Sequence, residues 1–177
     1  HDEAARAAGH DDFGDSWYRD AFRVVLAAYD REARFHEAGR EAARANLVQL
    51  LTTRLRSQRL LATRERTATA AADIRRPIIV LGLIRTGSTA LHHLMAQDPA
   101  VQVLEYWLAA HPQPRPPRGA WQQHPDFQAS TAEIAAMYAF DPTLRKIHLM
   151  AADLAEECPH FLAQSFTDDS FEVNERK

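Results

Sequence analysis

Pro77 to Pro99, P-I-I-V-L-G-L-I-R-T-G-S-T-A-L-H-H-L-M-A-Q-D-P, restricts the possible folds of this chain more than any other stretch. Ile78 to Leu81 is a continuous apolar run, which predicts a parallel strand covered on both faces. Gly82 and Gly87 bracket a turn. Thr89, Leu91, Leu94 and Met95 then begin a helix that Asp98-Pro99 stops. A strand that feeds a helix through such a turn aims backbone N–H groups and the positive helix end at one point. That geometry makes an anion site, usually for phosphate.

The interval Gly82-x-x-x-x-Gly87 is that of a P-loop, but Ser88-Thr89 stand where Lys-Ser/Thr would follow. The lysine that reaches the β- and γ-phosphates is therefore missing, and the cation lies inside the loop, at Arg85. A nucleotide kinase or NTPase would need that lysine and a Walker-type aspartate after a strand, which makes it a poor reading. Arginine, hydroxyl, glycine, hydroxyl, hydroxyl suits a ligand with one terminal charged group and no bridging metal.

On these residues the stretch resembles the 5′-phosphosulfate loop of sulfotransferases that use 3′-phosphoadenosine 5′-phosphosulfate (PAPS). It is most similar to the bacterial branch with P-I-hydrophobic-V-G-L-P-R-T-G-T-T-L-L-H-R-L-L-A-Q-D-P. The departures are an extra residue before Gly82, Ile84 for proline, Ser88 for threonine and His93 for arginine. None removes a phosphate-binding group. The resemblance extends loosely to Leu47-Val48-Gln49-Leu50-Leu51 with Arg54-Leu55-Arg56, and to His148 through Cys158, covering about 47 to 166.

The 177 residues suit one domain with a real core. A net charge of −3, from 21 basic and 24 acidic side chains, gives no electrostatic case for nucleic acid. The single cysteine, Cys158, excludes an internal disulfide framework and reads as a small buried side chain. No run approaches the roughly 18 apolar residues needed to span a bilayer, so an integral membrane protein is not expected. The polar start, His1 to Asp15, does not read as a signal peptide, and cytoplasm is the expected location. Beginning at His1 rather than Met, the chain is expected to have lost its true start.

Residues 1 to about 14 read as a solvated, mobile end; His1, His10, Asp2, Asp11 and Asp12 suggest no more than a weak metal site. A helix is expected from Asp15 or Ser16 to about Phe35, broken by Gly39, and a second to about Arg64. Arg40, Arg44, Arg54, Arg56 and Arg59 give the second helix a basic face, expected to be solvated. Arg66 to Ile74 reads as a linker. Val101 to Leu104 predicts a second strand ending at Glu105-Tyr106-Trp107. From His111 to Gly119, five residues in nine resist helix, so a rigid loop is expected there. Pro125 opens a helix to about Phe140 with Ile134, Met137 and Tyr138 inward. Asp153-Leu154-Ala155-Glu156 has capping-box spacing, and Pro159 must lie in a first helical turn.

The expected fold is α/β: a P-loop-like parallel sheet with helices on both faces, preceded by an N-terminal helical pair. The helical region spans 1–74, and the incomplete sulfotransferase-like domain 75–177. The resemblance implies that Arg85 and the backbone N–H groups of Thr86, Gly87, Ser88 and Thr89, with the three hydroxyls, cradle PAPS or its product PAP without a metal. It also implies transfer to a hydroxyl or amine of a small or lipidic acceptor. Glu105, beside the loop at a strand end, is the implied base, with His92 the runner-up. His93, His111 and His148 are weaker candidates. The family's 3′-phosphate segment does not occur before Lys177, so the chain reads as the first half of a sulfotransferase, either a fragment or a degenerate member. The alternative is an inactive α/β interaction module that docks through its helical pair and proline-rich loop. The acceptor and oligomeric state are silent in the sequence.

Overall fold

A computed structural model describes residues 1–66, 77–82 and 86–168. Arg85 and most of the linker expected over Arg66 to Ile74 lie outside the described residues. The chain divides into two compact units, His1–Thr67 with Cys158–Lys177, and Ala68–Glu157.

The first unit is helical. It contains α1 (Asp2–Ala8), α2 (Tyr18–Arg31), α3 (Glu37–Arg66) and α8 (Pro159–Ala163). The start of the chain is helical and packed rather than fully solvated: α1 buries Ala4 in a core with Phe13, Tyr18, Val25, Leu47, Leu51, Leu55 and Phe166. Gly9 ends α1 at φ 74, a left-handed cap that glycine adopts without Cβ strain. Gly39 does not break a helix. His36 accepts the Gly39 N–H at 3.1 Å through Nδ1, capping α3, so the glycine falls inside its first turn. The basic face of α3 is not uniformly solvated either, since Arg54 is 4% exposed. Pro159 opens α8 at its first position, as its missing N–H requires. Cys158, expected inside, is exposed. Phe166 has φ 59, a strained backbone for a side chain with Cβ. Its ring is buried 4.7 Å from Phe22 and 6.3 Å from Tyr18, centroid to centroid.

The second unit carries α4 (Ser88–Met95), α5 (Tyr106–Ala110), a 3₁₀ turn (Arg118–Gln123), α6 (Pro125–Phe140) and α7 (Leu144–Ile147). The parallel sheet expected here is overturned. Among the described residues the β structure is one isolated antiparallel bridge, between Glu105 and Ala155. Ile78, Ile79, Val80 and Leu81 are extended but 66, 75, 38 and 89% exposed, and Val101 to Leu104 is irregular. An apolar run is strand-like only when neighbouring backbone takes its N–H and C=O groups, and no described segment pairs with this one. α6 matches the expected span, with Ile134 and Tyr138 buried against Tyr106. Trp107, Leu108, Trp121 and Ala152 form a second cluster. The capping-box spacing at Asp153 starts no helix. Glu156 instead accepts the Glu157 N–H through its own Oε1 at 2.8 Å.

Candidate functional site

Gly82 and Gly87 each matter for a stated reason. A Cβ on Gly82 would meet the Thr86 Oγ1 at 2.8 Å, so a larger residue there would force that side chain to shift. Gly87 is the N-cap of α4 at φ 91, ψ 19, in the left-handed region. Leu91 N–H donates to Gly87 C=O at 3.0 Å, the first intrahelical bond. The N–H groups of Ser88, Thr89 and Ala90 precede that bond and have no intrahelical acceptor. Gly87, as N-cap, has no side chain with which to cap this helix end. The helix end therefore offers donors and a positive dipole end to an anion.

Two contacts one helical turn apart fix α4 on the 155–157 segment. The Thr89 hydroxyl donates to Glu157 Oε1 at 2.6 Å, and His93 Nε2 lies 3.1 Å from the Ala155 carbonyl. A carbonyl oxygen only accepts, so His93 carries its proton on Nε2. His93, not the family-like His92, is thus the ring tied to the site. His92 is half-buried on the flank of α4.

The same segment holds Glu105. Ala155 bridges it, Glu156 N–H donates to Leu104 C=O at 2.9 Å, and Tyr106 N–H donates to Leu154 C=O at 3.0 Å. Residues 154–157 thus lie between α4 and Glu105. The Glu105 carboxylate is 6% exposed, and its Oε1 accepts from Arg115 Nη1 at 2.5 Å. Oε2 is buried without a partner among the described residues. Arg115 Nη2 also donates to Val103 C=O at 2.6 Å. Sequence reasoning missed Arg115, because a basic residue between prolines reads as loop. The signal was an arginine at the centre of the rigid loop, ten residues after the acid. The loop is anchored on both sides of Arg115: Gln113 Nε2 donates to Asp126 Oδ2 at 3.0 Å, and Trp121 Nε1 donates to Pro116 C=O at 2.9 Å.

Among the other histidines, His148 Nε2 is 3.4 Å from Glu156 Oε1, and His111 Nδ1 is 3.8 Å from Asp126 Oδ1. Among the described residues no group of three His, Cys, Asp or Glu is placed to hold a metal ion.

Tyr106, next to Glu105, has its hydroxyl pushed up to about 12, first by burial and then by the Glu133 and Glu156 charges. Because the folded value lies above the ordinary 10.0, the neutral phenol favours the folded state fully below pH 10. That contribution is lost as pH rises through about 12. A tyrosinate absorbance step near pH 12 is expected, with a parallel fall in stability, and Tyr106→Phe should remove the step. A full tyrosinate signal by pH 10.5 in the folded chain would contradict this.

A left-handed glycine opens α4, and a buried acid is held on the same 154–157 segment as that helix. Residues 77–177 match the model of the sulfotransferase family, and the chain belongs to that family. Sulfotransferase STF1 from Mycobacterium tuberculosis H37Rv, known as a crystal structure, is 41% identical, with a TM-score of 0.81 over 97% of this chain and 47% of its own. Sulfotransferase STF9 from Mycobacterium avium is 24% identical, with a TM-score of 0.78 over 95% of this chain and 43% of its own, a likeness of fold alone. The chain thus spans about half the length of the sulfotransferases it matches. No curated protein sequence compared with it matches. Among the described residues no helix is long and apolar enough to cross a membrane.

Proposed function

We propose that this chain carries the 5′-phosphosulfate-binding part of a PAPS-dependent sulfotransferase acting on a hydroxyl or amine of a small or lipidic acceptor. The observation that carries the reading is left-handed Gly87 opening α4, whose first N–H groups have no acceptor within the helix. These donors fit an anion and leave room for it, since a Cβ on Gly87 would meet nothing within 4 Å. PAPS supplies a sulfuryl group activated by its mixed anhydride.

The chain's residues would act as follows. The N–H groups of Thr86 to Thr89 and the Thr86 and Ser88 hydroxyls hold the 5′-phosphate oxygens, and Arg85 neutralises them. The Thr89 hydroxyl proton is engaged by Glu157, so Thr89 contributes chiefly its backbone donor. Glu105 takes the acceptor proton as the new O–S or N–S bond forms and the anhydride S–O bond breaks, the electron pair leaving with PAP. Arg115 occupies Oε1 and Oε2 is buried, so the carboxylate must be uncovered before it takes the proton. His92 is the second candidate for that proton.

Calorimetric titration with PAP, against Mg-ATP as control, tests the reading. PAP is expected to bind in preference, and Arg85→Ala to weaken it by about 2–3 kcal/mol, the scale of a charge-assisted hydrogen bond. Tighter Mg-ATP binding would favour an NTPase. No binding of either, in a folded chain, would leave an interaction module. Unchanged PAP affinity in Arg85→Ala would remove the loop from the site.

A further inference from the structure

A cleft of about 440 Å³ opens in the second unit between α6 and residues 149–153, away from the glycine turn in sequence and in its lining residues. That volume lies in the range of small-molecule sites. Its floor is apolar, built from Phe127, Ile134, Leu149 and Met150. Phe127, Thr131, Ile134 and Tyr138 recur at helical spacing, so the cleft follows one face of α6 for about 16 Å at the usual rise per residue. An apolar body lying along that face would run beside these side chains.

The polar groups sit at opposite ends. The Arg145 guanidinium lies over the Tyr138 ring, 4.7 Å from its centroid, at one end. Among the described residues it has no carboxylate partner. The Tyr138 hydroxyl beneath it is fully used: it accepts the Met150 N–H at 2.6 Å and faces the His148 and Met150 carbonyls at 3.1 and 3.3 Å. A ligand's polar head at this end therefore meets the arginine. Residues 150–152 run back along α6, since Met150 meets Tyr138 while Ala152 packs in the cluster that Phe127 joins. Asp153, which follows, marks the other end and likewise has no described cation.

We infer that this cleft binds an elongated amphiphile with a single anionic head, the head on Arg145 and the apolar chain along α6. Charge chooses the occupant. The guanidinium favours an anion at the Tyr138 end, and the Asp153 carboxylate disfavours a second anion at the other. The stacked arginine is held in place by the ring, so less freedom is lost when it meets the head group. The inference is independent of the sulfuryl-donor reading, and PAP plays no part in its test.

The test is calorimetry of the whole chain with dodecanoate, dodecanedioate and dodecyltrimethylammonium, each below its micelle concentration. Dodecanoate is expected to bind at least about tenfold more tightly than the cation, the scale of one charged contact. Arg145→Glu should abolish that preference and Arg145→Lys should keep most of it. Dodecanedioate should bind more weakly than dodecanoate, and Asp153→Asn should close the gap. Ala135→Trp should block all three: Ala135 lines the cleft from the exposed side of α6, so the indole fills the cleft without entering the core. Circular dichroism checks that each variant is folded. Equal binding of anion and cation, dodecanoate binding that survives Ala135→Trp, or no binding overturns the inference. So does a chain dimer that Ala135→Trp abolishes in sedimentation, which would make the cleft a protein interface.

Discussion

Arg115→Ala is expected to destabilise the second unit by about 3 kcal/mol in urea unfolding, the low end for breaking a buried ion pair by removing one partner. The Glu105 side chain keeps 8% of its surface in contact with solvent, so its charge relies on the protein for compensation. Arg115 supplies it through Nη1, and the other carboxylate oxygen has no partner among the described residues. Truncation leaves both oxygens without a described donor on a side chain that is largely buried. The arginine is itself 35% exposed, which lets some water in and holds the cost to the low end. Glu105→Gln combined with Arg115→Met removes the charge and keeps much of the volume, and should recover most of the loss. A single-mutant loss below about 0.5 kcal/mol would mean that the pair contributes no more than an ordinary surface contact. The result also bears on catalysis. Turnover of any Glu105 variant must be compared with its unfolding curve, because the proposed base is also half of a buried pair.

What was legible in the sequence was local. The helix from Pro125 to Phe140 follows from a proline at its first position and Asp141-Pro142 after its end. The Gly87 N-cap and the start of α4 follow from a glycine before hydroxyls and leucines. What misled was the reading of Ile78 to Leu81 as a covered strand. Apolarity says that a segment has cover to gain, not that a neighbour is present to provide it. The same limit applies to Arg54 and Cys158. Helical periodicity placed the first on a solvated face and composition placed the second inside, and tertiary contacts reversed both. For the proposed site, spacing offers Thr86 to Thr89 as candidates, while the pairing of Glu105 with Arg115, and of Thr89 with Glu157 68 residues on, depends on how distant segments meet.

Family membership sharpens this division. Residues 77–177 match the sulfotransferase family, and among the described residues of that span side-chain and backbone contacts, not a sheet, position the candidate groups. Residues 154–157 do the work of a scaffold: one side holds Glu105 and the other holds α4 through Thr89 and His93. Substitutions there should disturb the proposed acid and the anion site together, although neither group lies on the segment.

Arg54→Ala is expected to cost the first unit about 3–5 kcal/mol, within the range of mutations that strip buried groups of a charged partner. Nε donates to Phe13 C=O at 2.8 Å, Nη2 to Asp15 C=O at 3.0 Å, and Nη1 to Gln164 C=O and Ser165 Oγ at 3.3 and 3.4 Å. The guanidinium carbon stands 4.0 Å from the Tyr18 ring centroid. One side chain on α3 thus joins residues 13–15 to residues 164–165. Burial pulls the guanidinium below its ordinary range, while Tyr18 and Asp15 oppose that shift, so the charge is kept by its surroundings. Alanine removes the donor from four acceptors at once and leaves space beneath Tyr18. Lysine keeps the charge but not the fork, and a compact ammonium cannot face carbonyls on two separate segments. Arg54→Lys should therefore recover less than half of the loss. Limited proteolysis gives a local readout: cleavage after residue 158 should accelerate in Arg54→Ala before global unfolding. Stability within about 1 kcal/mol of the parent, with unchanged cleavage, would show that the helical core holds these segments without the arginine.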